Sequence, residues 1–392
     1  MTLMQNYAQY DITFARGKGS YLYDETETAY LDCACGISVT NLGHIHPYIT
    51  GKFMEQAEKL WHTSNLFPNK LPEKLAKRLS EAAFGGQMFF CNSGAEANEG
   101  AIKLAIKYNN NVYNGKKPRI ITMVNGFHGR TYAAMSATAQ EKIRKGFEPA
   151  ASFFSYIPYN DTAAAEAELA KGDVCAVMLE LYQGEAGVLP ADPVFVKNLR
   201  ELTHKYGALM IIDEIQTGYG RTGKLFAYSH FGIVPDIITM AKAMANGIPM
   251  GGIMAKPEIA ALFTHGTHGS TFGANLLACA AADAVLDILL AEGFLDEVAV
   301  KGEKTQTMLK ETLLQYGISV RGRGMLIGVE LPSDNKTFIK NAMKEKILVI
   351  GGGTKSVRFY PPLNASMAEL EEGVGKMAKA ALATQHESGF FK

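Results

Sequence analysis

Residues 208–223 read ALMIIDEIQTGYGRTG. The first five suit the middle of a strand buried on both faces. The run then ends in Asp213 and Glu214, with Gln216 and Arg221 close behind. A carboxylate is costly to bury without a partner, so this strand end either reaches solvent or meets a positive charge. Lys242 poses the converse question, because it closes the apolar strand DIITMA among Met240, Ala241, Ala243 and Met244. A desolvated lysine loses its proton readily and becomes a nucleophile toward carbonyls; a strand-end lysine that snorkels to water is the plainer alternative. In NSGAEANEGAIKLA a turn of small residues opens a helix. Helix N-termini offer free N–H groups to phosphate, and Gly94 and Ala95 leave that backbone accessible. A simple Ser or Asn cap is the competing reading. The stretch GSTFGAN, residues 269–275, adds two hydroxyls, Ser270 and Thr271, between glycines.

One ligand would satisfy all of these groups: an aldehyde with a phosphate arm and a protonated ring nitrogen, which is pyridoxal 5'-phosphate (PLP). The phosphate would sit on Gly94 and Ala95, and Lys242 would form a Schiff base with the aldehyde. Asp213 would pair with the ring nitrogen, keeping the ring cationic as an electron sink. Gln216 would bond the ring hydroxyl and Phe127 would stack on the ring face. Glu214 is left for the substrate or for structure.

The elements that position these residues follow from the pattern. Apolar strands are expected at 87–90, 119–124, 175–181, 208–213, 236–241 and 251–255, with amphipathic helices between several of them. That alternation predicts an α/β fold with a mainly parallel sheet covered on both faces. Polar and small residues follow the strands in CNSGAEANE, NGFHGRT, YQGEAG, DEIQTG and AKAMANG. The carboxyl edge of an open α/β sheet is where ligands bind. From about residue 310 short strands (ISVRG, MLIGVEL, ILVIG, SVRFY) alternate with two helices, which suggests a smaller α/β domain.

The chain has 392 residues, enough for a large domain with a smaller one attached. Lys plus Arg and Asp plus Glu both number 39, which gives no electrostatic reason to expect nucleic acid or a charged membrane. No apolar run approaches the ~18 residues of a membrane span, and a cytoplasmic location is expected. The five cysteines form no CxxC pair and read as buried free thiols. His44 and His46 lack a further ligand set, and no metal is expected.

The chain resembles the class III (ω-amino) aminotransferases of PLP-dependent fold type I. The resemblance runs over nearly the whole length, through YLYDETETAYLD, NLGHIHP, NSGAEANE, GFHGRT, QGEAG, DEIQTGYGRTGKLFA, HGSTFGAN and VRFYPPL. It implies a seven-stranded sheet in a large domain spanning 46–290, a small domain spanning 291–392 and an N-terminal segment, 1–45, joining the small domain. It also implies a homodimer, with Thr271 reaching the partner's phosphate. Arg130 would clamp the substrate carboxylate, Ser270 would lie near the substrate, and Lys242 would shuttle the proton. Glu185 and Arg358 would form a switchable pair: Arg358 is masked while the amine donor is bound and freed for the α-carboxylate of glutamate or 2-oxoglutarate.

Within the class the chain is most similar to the acetylornithine branch of arginine biosynthesis. This implies transfer from N2-acetyl-L-ornithine to 2-oxoglutarate, giving N-acetyl-L-glutamate 5-semialdehyde and L-glutamate. Ornithine, GABA, succinyl-diaminopimelate and succinylornithine remain as alternative donors, and a PLP-dependent aminomutase or a catalytically silent PLP-fold protein as other classes. Ile37 stands where ornithine-specific relatives have a tyrosine, whereas Tyr7 aligns with another tyrosine that contacts ornithine there. The chain departs from the class pattern at Glu27, Leu181, Ala186 and Ala274. Glu27, Ala186 and Ala274 stand at frequent glycines and Leu181 at a frequent proline.

Overall fold

The computed structural model describes residues 2–388. Three strands, β1 (Phe14–Lys18), β2 (Tyr21–Asp24) and β3 (Ala29–Asp32), open the chain as an antiparallel meander. The β2–β3 turn places Glu27 at φ +63°, the conformation glycine adopts most readily. The Asp24 carboxylate holds this turn by accepting from Thr26 N and Thr28 N, and the Glu27 side chain pairs with Arg16. The non-glycine residue is thus accommodated by side-chain bonds.

The central sheet contains β4 (Gln87–Cys91), β5 (Arg119–Met123), β6 (Phe154–Ile157) and β7 (Val174–Leu179). A short hairpin of β8 (Tyr182–Gln183) and β9 (Leu189–Pro190) follows β7. The sheet is completed by β10 (Leu209–Asp213), β11 (Ile237–Met240) and β12 (Gly251–Ala255), in the order β4-β12-β11-β10-β7-β5-β6. Its seven strands are parallel except β12, which runs antiparallel to both neighbours. The six strands expected from the apolar runs are all present. The seventh, β6, escaped them because FSYI is short, with its two inner residues only half-buried at the sheet edge.

Both faces of this sheet are covered, which explains the unbroken apolar runs. In β10, Met210 and Ile212 enter one apolar cluster while Leu209 and Ile211 enter another on the opposite face. Helix α1 (Gly94–Tyr113) lies on the second face; α2 (Pro193–Tyr206) and α3 (Leu276–Leu289) lie on the first. The start of α2 is specified locally: Asp192 accepts from Val194 N at 2.7 Å, Pro193 occupies the first turn, and Gly207 at φ +64° ends the helix. At the amino end of the sheet the buried Asp236 accepts from Met210 N, Arg200 and Lys256 at 2.7–2.8 Å. It thereby ties the starts of β10 and β11, whose far ends carry Asp213 and Lys242.

After α4 (Phe294–Leu313) the chain forms β13 (Ser319–Arg323), β14 (Leu326–Glu330) and α5 (Asn335–Lys344). It continues through β15 (Ile347–Leu348), β16 (Ile350–Gly352), β17 (Ser356–Phe359) and α6 (Met367–Ser388). The expected strand ILVIG is divided between two sheets. Its first half, β15, pairs in parallel with β3, and its second half, β16, joins the antiparallel order β13-β14-β17-β16. Leu31 of β3 therefore shares a core with Ile327, Phe338, Phe359 and Met377. All five cysteines are free and buried, and no helix among the described residues is long and apolar enough to cross a membrane.

Candidate active site

The carboxyl ends of β4, β5, β7, β10 and β11 converge on a cavity of about 440 Å³. Its lining includes Gly94, Ala95, Phe127, Arg130, Asp213, Gln216 and Lys242. Seven of the residues expected to do chemistry thus come together from segments up to 148 positions apart (94 to 242).

Helix α1 presents its N-terminus to this cavity. Ser93 caps it by accepting from Glu96 N at 3.2 Å, which leaves the first-turn N–H groups of Gly94 and Ala95 without intrahelical acceptors. A Cβ on Gly94 would stand 2.9 Å from Ile215 Cδ1, so only glycine lets the loop after β10 approach this helix.

Asp213 is buried at the end of β10. Its Oδ2 accepts from Asn98 Nδ2 at 2.9 Å and His128 Nδ1 at 2.8 Å, and its Oδ1 accepts from Ile215 N at 3.1 Å. Asn98 also donates to His128 O, and His128 N donates to Thr138. Burial lowers the His128 pKa, but the bond to Asp213 and its charge outweigh this and raise it above the ordinary value. Asn98 and His128 were not singled out in the sequence, although a signal existed. Asn98 lies four residues after Gly94 and so shares its helix face, and His128 sits between Phe127 and Arg130 in the same motif.

Glu180 is a third residue found only in the structure. It accepts from Phe127 N at 2.9 Å and from Gly184 N at 3.2 Å, and burial pushes its carboxyl up to about 7. It joins the loop carrying Phe127 to the loop carrying Glu185. Gln216 accepts from Tyr360 Oη at 2.7 Å. A Cβ on Gly184 would overlap the Gln216 amide.

Lys242 lies at φ +48°, at the start of a short 3-10 turn that follows β11. Burial lowers its pKa, opposed by the charge of Glu185, which makes it a better nucleophile and proton acceptor than a solvated lysine. Arg130 lies over the Phe127 ring at 5.8 Å and has no ion-pair partner among the described residues. Arg358, by contrast, is buried and holds Glu185 Oε1 at 2.6 Å and Gly351 O at 2.7 Å.

The second acid of the opening motif faces the structure. Glu214 accepts from Tyr228 N at 2.8 Å and is bonded by the Thr217 hydroxyl. Five sequence-derived site residues do not line the cavity within one chain: the paired Glu185 and Arg358, and Ser270, Thr271 and Tyr7. Ser270 Oγ accepts from Asn92 Nδ2, a lining residue, at 3.1 Å. Thr271 is exposed, and Tyr7 is 77% exposed on the N-terminal segment, beside a separate surface hollow formed by residues 2–9. Spacing alone cannot tell which chain a loop serves. Ile37 is partly exposed within the consecutive left-handed residues Cys35–Ser38, and the next residue, Val39, lines the cavity. Leu181 is fully buried in the core, and Ala274 takes φ +61°, a conformation glycine adopts most readily.

The Aminotransferase class-III family profile matches residues 2–381. The chain belongs to the class-III aminotransferases. It is 45% identical over 383 residues to the acetylornithine aminotransferase of Bacillus subtilis, covering 97% of both chains. Among solved structures it resembles the ornithine aminotransferase of Toxoplasma gondii (TM-score 0.94, 32% identity, 98% of this chain and 94% of that one). It also resembles the N-acetylornithine aminotransferase of Stenotrophomonas maltophilia (TM-score 0.85, 35% identity, 97% and 98%). Enzymes of this class depend on PLP, and the cavity fits that group: a helix N-terminus for an anion, a buried carboxylate for a ring cation and a desolvated lysine for an aldehyde.

Two outcomes follow from this geometry. Replacing Lys242 with Ala should lower turnover by about 10²-fold or more while the protein stays folded, and near-normal turnover would remove Lys242 from the chemistry. The second concerns Glu214, whose carboxyl burial pushes up to about 7. A pKa raised above the unfolded value of about 4.3 favours the folded state at low pH. That advantage is lost as pH rises through about 7. The Tm of Glu214→Gln should therefore gain on the parent as pH rises from about 5 to about 8; a gap independent of pH would mean the carboxyl titrates at its ordinary value.

Proposed function

We propose that this aminotransferase moves the terminal amine of N2-acetyl-L-ornithine onto 2-oxoglutarate, giving N-acetyl-L-glutamate 5-semialdehyde and L-glutamate. The carrying observation is the contrast between two arginines around Lys242. Arg130 is an open cation on the cavity wall, whereas Arg358 is buried and occupied by Glu185. An enzyme that takes the terminal amine of one substrate and the α-amine of another needs one permanent carboxylate clamp and one conditional clamp. The names of the B. subtilis and S. maltophilia relatives support an acetylated donor, and so does Ile37, which offers no hydroxyl to a free α-amine.

In this reading Gly94 and Ala95 hold the cofactor phosphate through backbone N–H groups. Phe127 covers the ring face, Gln216 meets the ring hydroxyl and Asp213 keeps the ring nitrogen protonated. Bound PLP supplies a cationic ring that takes up the electron pair left when a proton leaves the substrate carbon. Lys242 Nζ carries that proton between substrate carbon and cofactor carbon as general base and then general acid. Asn98 and His128 hold Asp213 in place by donating to its carboxylate. Arg130 holds the donor's α-carboxylate with its planar fork, and Arg358 takes the α-carboxylate of glutamate or 2-oxoglutarate once Glu185 moves aside. The exposure of Thr271 suits a residue donated to the phosphate of a second copy, so the active unit is a homodimer.

The decisive experiment is a half-reaction without 2-oxoglutarate, following loss of the absorbance of the lysine-bound cofactor. N-acetylornithine should react faster than ornithine, GABA or succinyl-diaminopimelate; a faster reaction with any of these would reassign the donor. Arg130→Gln should raise KM for the donor by about 10- to 100-fold, the equivalent of ~1.5–3 kcal/mol of charge-assisted bonding. Unchanged kinetics would place the carboxylate elsewhere.

A further inference from the structure

Arg321, on β13, has no part in the chemistry above, yet its guanidinium is fully engaged. Nε donates to Gly187 O at 2.7 Å, Nη2 donates to Ser356 Oγ at 3.0 Å, and Nη1 pairs with Glu330. Gly187 lies in the β8–β9 hairpin two residues after Glu185, and Ser356 lies in β17 two residues before Arg358. Arg321 therefore bridges the two segments that carry the switch pair.

The seam between those segments is close-packed backbone. Gly353 N donates to Glu185 O at 2.6 Å. A Cβ on Gly352 would stand 2.9 Å from Gly187 Cα, and one on Gly328 would stand 2.7 Å from Gly187 O. Such contacts leave no room for the hairpin to slide. The Glu185 side chain is not so confined: it is about one-third exposed (31%), whereas that of Arg358 is 3% exposed. It borders a second cavity of about 590 Å³, whose wall includes Arg321, Lys142, Lys355, Gly353 and Ser356. A carboxylate that leaves Arg358 thus finds space on that side, with Lys142 and Lys355 on a wall that also holds Glu141 and Glu330.

We propose that Arg321 is a positioning residue for the substrate switch: it pins the hairpin to the Arg358 strand, so the pair opens by rotation of the Glu185 side chain into the second cavity. This rests on the two-substrate reading above. Without Arg321 the hairpin loosens, Arg358 is masked less well, and the enzyme shifts toward α-carboxylate substrates.

The test compares single-turnover half-reactions with glutamate and with N-acetylornithine in the holoenzyme, for Arg321→Met, Glu185→Gln and the double variant. The glutamate-to-acetylornithine ratio of kcat/KM should rise at least about threefold in Arg321→Met and further in Glu185→Gln. In the Glu185→Gln background the added Arg321→Met change should move the ratio by less than about 1.5-fold, because the group it positions is gone. Arg321→Lys, which keeps the charge but cannot span three acceptors, should behave as Arg321→Met does and serves if that variant folds poorly. An undiminished Arg321 effect in the Glu185→Gln background, or an unmoved ratio in folded Arg321 variants, would overturn the positioning role. An unmoved ratio in Glu185→Gln itself would instead overturn the switch, and the role of Arg321 with it.

Discussion

The cavity depends on one carboxylate held inside the sheet, that of Asp213. Asp213 ends a central strand whose neighbours on both sides are themselves strands, so its carboxylate has little access to water. An isolated buried carboxylate would be protonated. Asn98 from α1, His128 from the loop after β5 and the backbone of Ile215 each donate to it. Those bonds bring the N-terminus of α1, the loop carrying Phe127 and the strand end into fixed relation. The cofactor site is thus organised around the requirements of one carboxylate, and the lysine it serves is placed by the adjacent strand.

The other charges divide by how fully each is satisfied. Arg221 is completely buried without a carboxylate partner among the described residues; it donates to Ser38, Asn41, Met325 O and Pro361 O, tying the N-terminal segment and the C-terminal sheet to the loop after β10. It is a structural pin, and neutral acceptors suffice because burial lowers its pKa only against a very high starting value. Arg358 is equally buried but held by a carboxylate that can leave. Arg130 is held by no carboxylate among the described residues. The order pinned, exchangeable, open matches the roles proposed for the three arginines: structural pin, conditional clamp and permanent clamp. Cys35, Ile37 and Ser38 beside the cavity and Lys242 within it take positive φ without being glycine, as is common where tertiary contacts over-determine a functional loop.

The sequence by itself determined the α/β class, six of the seven central strands and seven of the residues that line the cavity. It could do so because a strand buried on both faces must be an apolar run, and because reactive residues collect where such runs stop. Asp213 ends a strand, Gly94, Phe127, Gln216 and Lys242 follow within about four residues of one, and the parallel order puts all those ends on one edge. The edge strand β6 and the split of ILVIG between two sheets were not legible, since pairing partners leave no periodic trace in a short run.

Only the tertiary structure decided the partners. That Asp213 faces the cavity while Glu214 turns to Tyr228 and Thr217 reflects alternation at a strand end, whose phase is set by packing. That Asn98, His128 and Glu180 serve the site follows from hydrogen bonds linking residues 30 to 115 positions apart. That Tyr7 and Thr271 lie outside the cavity of their own chain follows from the path of the N-terminal segment and of the loop before α3. Local chemistry is written in residue type and spacing; long-range complementarity arises only when the folded chain brings distant groups within a few ångströms.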